Sequence, residues 1–172
     1  MKGKWARGIE PRNFTWIIKD RLAVCERPGG YGANHRKVRR QEEIIWIREN
    51  AFDIVFSLIQ SPHNLHNYDA LGVAYTHQPF NGPEDGVERL DQLYKNLRTL
   101  LDNGAKVLVH REELADHVSG MLAGYLLWAG FIETGPDVIV AIEQLVSRPL
   151  GPVGREIVSL AIRARDGAEA SS

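Results

Sequence analysis

The sequence predicts an α/β protein: a mixed central sheet flanked by helices, with a helical cluster at its carboxyl-terminal end. Short apolar runs alternate with segments of helical period through the first two-thirds of the chain, and only helical patterns follow. The stretch Lys106–Leu127, KVLVHREELADHVSGMLAGYLL, gives the same result on a smaller scale. Its apolar strand, Val107 to Val109, ends at His110. A polar, acidic segment then leads into helical spacing at Leu114, Val118, Met121, Leu122, Tyr125 and Leu126. A buried strand, a turn and a buried helix are where an α/β protein commonly builds a site.

Residues 1–12 carry few apolar side chains and are expected to lie across the surface as an extension. Asn13–Arg27, NFTWIIKDRLAVCER, reads as two strands turning at Lys19–Asp20–Arg21. The glycine-rich loop after Pro28 lacks the phosphate-loop pattern. Arg36–Ala51 has a partial helical face at Val38, Ile44, Ile45 and Ile47, with Trp46 beside it. Asp53–Gln60 is a buried strand, and SPHNLHNYDALG a turn with one helical turn. Val73–Phe80 is the next strand, closed by NGPEDG. Val87–Asn103 carries a helical stripe at Val87, Leu90, Leu93, Tyr94, Leu97, Leu100 and Leu101, and Gly104 follows as a cap. The helix through Trp128, Pro136–Val146 and Pro152–Arg165 complete the fold. The domain is expected to span 13–166, with 167–172 as a fraying tail.

Composition bounds the function. The chain has 172 residues, 44% hydrophobic and 25% charged, as in ordinary globular domains. A formal charge of -1 gives no support to general nucleic-acid binding. Arg36, Lys37, Arg39 and Arg40 cluster, and read first as the solvated start of a helix and second as an anion or partner patch. The one cysteine, Cys25, forms no disulfide framework or cysteine zinc site, so a reducing cytoplasm is the default. No signal-peptide pattern and no apolar run of about 20 residues is present, so no membrane partner is expected.

The order of these local sequences resembles the dual-specificity branch of the protein tyrosine phosphatase superfamily, over roughly Asn13 to Val158. NFTWIIKDRLAVCERPGG resembles the opening strand pair of such domains. FDIVFSLIQ and GVAYTHQPF are similar to the following strands. VERLDQLYKNLRTLLDNGAKVLVH is similar to the helix and strand before the signature loop, and GMLAGYLLWAG to the helix after it. DVIVAIEQLVSRPLG resembles the next helix and its Arg-Pro ending.

The resemblance implies a signature of His-Cys, five residues, Arg, then Ser or Thr. Its thiolate attacks phosphorus, its arginine grips phosphate oxygens, and its glycines turn N–H groups inward. Laid on this chain, the histidine is His110, the cysteine position holds Arg111, the arginine position His117 and the hydroxyl position Val118. Glu112, Glu113, Leu114 and Asp116 fall within the loop. Arg111 has no nucleophilic lone pair, and His117 offers no two-pronged fork. The carboxylates of Glu112, Glu113 and Asp116 repel a phosphate, each by roughly 1–4 kcal/mol at ~4 Å. The family's general-acid position falls near Asn81 or Gly82, with Asp85 close by.

Without its glycines the loop need not be a loop. The stripe Leu114, Val118, Met121, Leu122, Tyr125 extends backwards in phase, so a helix starting near Glu112 is expected to fill the old pocket. Its acidic first turn would suit the helix dipole. His110 is expected to be a buried structural histidine bonded to neighbouring backbone; the alternative is a ligand or acid/base role. No metal and no cofactor are expected. The set that would hold a metal, were the strand ends to converge, is His63, His66, His77, His110 and His117 with Glu113 or Asp116. Trp46 and Trp128 are expected in packing. Leu126, Leu127, Trp128, Phe131 and Ile132 are dense enough to leave part of themselves exposed as a partner surface.

The resemblance therefore implies a catalytically inactive phosphatase-like protein. It would act as a binding, regulatory or scaffold module toward a protein partner or a second copy, with Asn81, Asp85, His110, Arg111 and His117 as binding candidates. The alternatives are an enzyme with repurposed histidine and carboxylate chemistry, metal-assisted or not, and an active phosphatase with its site elsewhere.

Overall fold

The computed structural model describes residues 8–29, 37–62, 65–112 and 115–170. The protein has a mixed α/β fold with five strands and six helices: β1 (Thr15–Ile18), β2 (Leu22–Glu26), α1 (Lys37–Glu49), β3 (Ile54–Ser57), α2 (His66–Ala70), β4 (Tyr75–His77), α3 (Gly86–Asp102), β5 (Val107–Arg111), α4 (Asp116–Trp128), α5 (Gly135–Val146) and α6 (Pro152–Ala170). The chain divides into two compact units, interleaved along the sequence. One comprises Met1–Pro79 and Leu100–Leu114, the other Phe80–Thr99 and Ala115–Ser172.

The first unit holds the sheet, ordered β1-β2-β5-β3-β4. β1 and β2 are antiparallel, and the remaining neighbours are parallel. Asp20, at positive φ (64°), makes the predicted turn between β1 and β2. β5 is central, and Val107 to His110 are all buried, which is why this strand reads as an unbroken apolar run. One core gathers Ala23, Cys25, Ile44, Ile47, Val55, Tyr68 and Leu108, with Phe14, Trp16 and Trp46 against it. Trp16 stacks on Phe52 at 5.6 Å, and Lys106 Nζ sits 4.6 Å from the Phe52 ring centre. Trp46 is thus a packing residue, as expected.

Two strands are shorter than predicted. β3 stops at Ser57, because beyond it the Ile59 carbonyl is taken by the His77 ring, 2.7 Å away. β4 starts only at Tyr75, because the Val73 N–H closes the turn after α2 by donating to the Tyr68 carbonyl at 2.8 Å. The amino-terminal segment is less superficial than its composition implied. Ile9 N–H donates to the Glu42 carbonyl at 3.1 Å, and Pro11 is buried.

The second unit is helical. α4 is buried from Val118 to Trp128 on every side, which removes it from the amphipathic pattern of surface helices. Tyr94 on α3 donates to the Met121 carbonyl at 2.7 Å. Gly120 meets Gly154 so closely that a Cβ on Gly120 would lie 2.5 Å from Gly154 Cα. Trp128 Nε1 donates to Asp91, and the Arg98 guanidinium lies 4.4 Å over its ring. Of the apolar residues expected at a surface, Leu126, Leu127 and Trp128 are buried and Phe131 is exposed. α6 continues past the predicted end at Arg165 to Ala170; the tail's alanines and glutamate favour helix over fraying. Among the described residues no helix is long and apolar enough to cross a membrane.

Candidate functional site

In the first unit the signature stretch begins inside the sheet. His110 pairs in register with Cys25 on one side and Ser57 on the other. In-register residues of parallel strands share a face, so these three form a buried polar row. His110 is 1% exposed, and its ring meets Tyr68 edge-on at 5.8 Å. The expected bond to neighbouring backbone is absent: neither ring nitrogen has a hydrogen-bond partner among the described residues. The nearby strand carbonyls are already used in pairing; the Leu58 N–H, for one, donates to the His110 carbonyl at 2.9 Å. Burial first, then the charges of Arg27 and His77, lower the His110 pKa to about 3, so the ring is neutral.

Arg111, at the nucleophile position, is the last residue of β5 and pairs with Glu26. Its carbonyl accepts from Arg27 N–H at 2.8 Å, while its Nε is buried with no partner among the described residues. Glu112 follows in a bend; Glu113 and Leu114 lie outside the described residues. Cys25 is 1% exposed, and burial followed by the charges of Glu43 and Glu26 pushes its thiol well above the usual range.

In the second unit the stretch resumes at Ala115, an extended residue that precedes α4. The expectation that the helix begins near Glu112 is therefore corrected: α4 starts at Asp116. The reason is a contact distant in sequence. Asp116 accepts from Gly151 N–H at 2.7 Å and from Gly154 N–H at 2.6 Å. These amides belong to the start of α6, where a carboxylate meets both free donors and the positive end of the helix dipole. A helix already wound at Glu112 would carry Asp116 as an interior residue rather than at the entry point that this contact fixes.

His117, at the phosphate-gripping position, lies over the loop before α3. A Cβ on Gly82 would be 2.8 Å from His117 Cδ2 and 3.2 Å from both its Nε2 and Glu84 Oε2. Gly82 holds φ 133°, which suits glycine, and leaves room for the imidazole. Asp85 is engaged in the same loop. It accepts from Asn81 N–H at 2.8 Å and from Asn81 Nδ2 at 3.3 Å, which shapes the turn into α3.

The predicted residues thus assemble in two sets. His110, Arg111 and Glu112 belong to the first unit; Asn81, Asp85, Asp116 and His117 belong to the second, with His117 against the Asn81–Asp85 loop. His66 is exposed on α2, His77 is bound to Ile59, and His63 lies outside the described residues. Among the described residues no group of three or more histidine, cysteine or acidic side chains is placed to hold a metal. Sequence reasoning missed Arg27 and Tyr68, which line a small pocket with Arg40 and His110, and it missed Glu84 beside His117. The only signal for the Asp116 partners was the Gly-x-x-Gly of RPLGPVG.

A sheet with β5 at its centre, followed by a turn and a buried helix, is the architecture of the dual-specificity and protein tyrosine phosphatases, and the chain has that fold. Particular solved structures make the likeness concrete. Kinase associated phosphatase, with its catalytic cysteine replaced by serine, matches at TM-score 0.74 and 18% identity over 93% of this chain and 97% of that one. Tk-PTP in its active form matches at TM-score 0.67 and 18% identity, covering 90% of this chain and 97% of that one. The human tyrosine phosphatase-like serine/threonine/tyrosine-interacting protein matches at TM-score 0.64 and 12% identity, covering 92% and 98%. No protein-family model and no curated protein matches the chain by sequence.

Proposed function

We propose that the chain is a catalytically inactive module on a phosphatase fold, acting by binding a protein partner or a second copy of itself in the cytoplasm. One observation carries this reading: the only thiol, Cys25, is buried in β2 and held protonated, while the nucleophile position is Arg111, whose backbone completes the sheet. Cysteine-dependent phosphoryl transfer needs an accessible thiolate. Asp116 adds support, since its charge is spent on the start of α6 and leaves the signature segment carrying a carboxylate where its relatives carry flexibility. Binding candidates are Asn81, Asp85, His110, Arg111 and His117. Exposed Phe131 and Val140 supply apolar surface for a partner. One neighbour in fold is described as an interacting protein that is phosphatase-like, another as an active phosphatase, so the fold itself is compatible with either role.

The test is turnover of para-nitrophenyl phosphate and of phosphopeptides, with and without divalent metals. No turnover is expected in any condition. Turnover that survives Cys25→Ser and needs metal would favour the repurposed-enzyme alternative instead.

A further inference from the structure

Beyond the signature segment, the first unit carries a half-open pocket lined by Arg27, Arg40, Tyr68 and His110, with Ile44, Ile59 and Leu65 as apolar wall. No acidic side chain lines it. The nearby Glu43 is occupied, accepting from Arg39 Nε at 2.6 Å and from Gly29 N–H at 3.1 Å. Arg27 and Arg40 are half-buried and form the rim; Tyr68 and His110 are 3% and 1% exposed and form the floor. We propose that this pocket binds a tetrahedral oxyanion of the phosphate class, one oxygen seated against the His110 ring and the others held by Arg27 and Arg40.

Three features support the assignment. The neutral His110 ring must carry one N–H, and that donor has no acceptor among the described residues although it is buried. The Arg27 charge disfavours the charged forms of both Arg40 and His110, so positive charge is concentrated here and an anion would relieve it. The enclosed volume, about 10 Å³, is close to one water sphere, so the deep end admits a single oxygen. A carboxylate with one oxygen seated there leaves one oxygen for two guanidinium forks; a phosphate leaves three. The pocket shares only His110 with the signature stretch and stands independently of whether that stretch turns over phosphate esters.

Calorimetric titration with inorganic phosphate, O-phosphoserine and acetate tests this, alongside nitrogen-15 spectra of the His110 ring. Saturable phosphate binding is expected, with the ring resonances shifting as the site fills. Arg40→Gln lies on an exposed turn of α1, and should weaken binding about tenfold while leaving the circular dichroism unchanged. Arg27→Gln should do the same. Tighter binding of O-phosphoserine than of phosphate would identify the natural ligand as a monoester, and the reverse as the free ion; either outcome supports the pocket. Absence of saturable binding, undiminished binding by folded Arg40→Gln and Arg27→Gln, or acetate binding as tightly as phosphate would overturn the proposal. So would loss of binding in His117→Ala but not in Arg40→Gln, which would move the anion to the signature segment.

Discussion

Asp116 holds Gly154: its carboxylate accepts the Gly154 N–H at 2.6 Å, and the Gly151 N–H at 2.7 Å, so the start of α4 carries the cap for α6. Asp116→Ala removes two charge-assisted bonds and leaves both amides without an acceptor. We expect a loss of about 2 kcal/mol, read as a lower urea midpoint at constant slope. Asp116→Asn should not restore the wild-type value, because its NH2 turns a donor toward a donor.

Gly120→Ala should be more damaging than an ordinary glycine-to-alanine change within a helix. The new Cβ would stand 2.5 Å from Gly154 Cα, a backbone atom that cannot step aside. Helix propensity favours alanine by up to about 1 kcal/mol, and overpacking opposes it by about 1–3 kcal/mol or more. Net destabilisation in thermal melts is expected; a raised melting temperature would contradict the close crossing of α4 and α6.

His110 predicts an acid limb of stability. Its folded pKa, about 3, lies below the ordinary 6.5, so the unfolded chain binds the proton first. Stability therefore rises with pH between about 3 and 6.5, by at most about 1.4 kcal/mol per pH unit from this group. The groups around it are Arg27, Arg40, His77, Tyr68, Cys25 and Ser57. Glu43 acts in the opposite sense, since burial raises its carboxyl and its cost grows as pH climbs past the usual 4.5. Urea midpoints across this range should fall more gently toward acid in His110→Leu than in the wild type.

Cys25 should be silent to thiol reagents in the native state. It is buried between Val24 and Glu26 in a paired strand, and its thiol is held protonated. Reaction with Ellman's reagent is expected to track global unfolding and to appear in full only in denaturant; rapid native labelling would refute the burial.

Restoring two signature residues should not restore chemistry. In Arg111→Cys with His117→Arg, the new thiol would stand at the end of a paired strand and the new arginine beside Gly82. Asp116 would remain on α6. No turnover of para-nitrophenyl phosphate above the unmodified chain is expected.

The parts of the fold legible in the sequence were those governed by local period. β5 showed as an apolar run, α3 as a stripe ending at a glycine cap, and the hairpin as two strands around Asp20. The limits of β3 and β4 were hidden because they depend on where a distant ring, His77, and a helical carbonyl, Tyr68, intercept the backbone. The start of α4 was misplaced for the same kind of reason. The apolar stripe runs in phase through Leu114, but the entry point is fixed by Gly151 and Gly154, more than thirty residues on. In the candidate site, the residue types were readable and their companions were not. Nothing local to His110 announces that Arg27, Arg40 and Tyr68 gather around it.

The central place of β5 bears on how this chain is made. In the order β1-β2-β5-β3-β4, the middle strand is the last to leave the ribosome. Until residues 107–111 emerge, β2 and β3 have no partner on their inner sides, and the nascent chain holds two half-sheets with exposed edges. Such edges invite pairing with other chains, so a stalled or truncated product ending before β5 is a species for chaperones to shield. The sheet closes by insertion, late and in one step, when its keystone strand arrives.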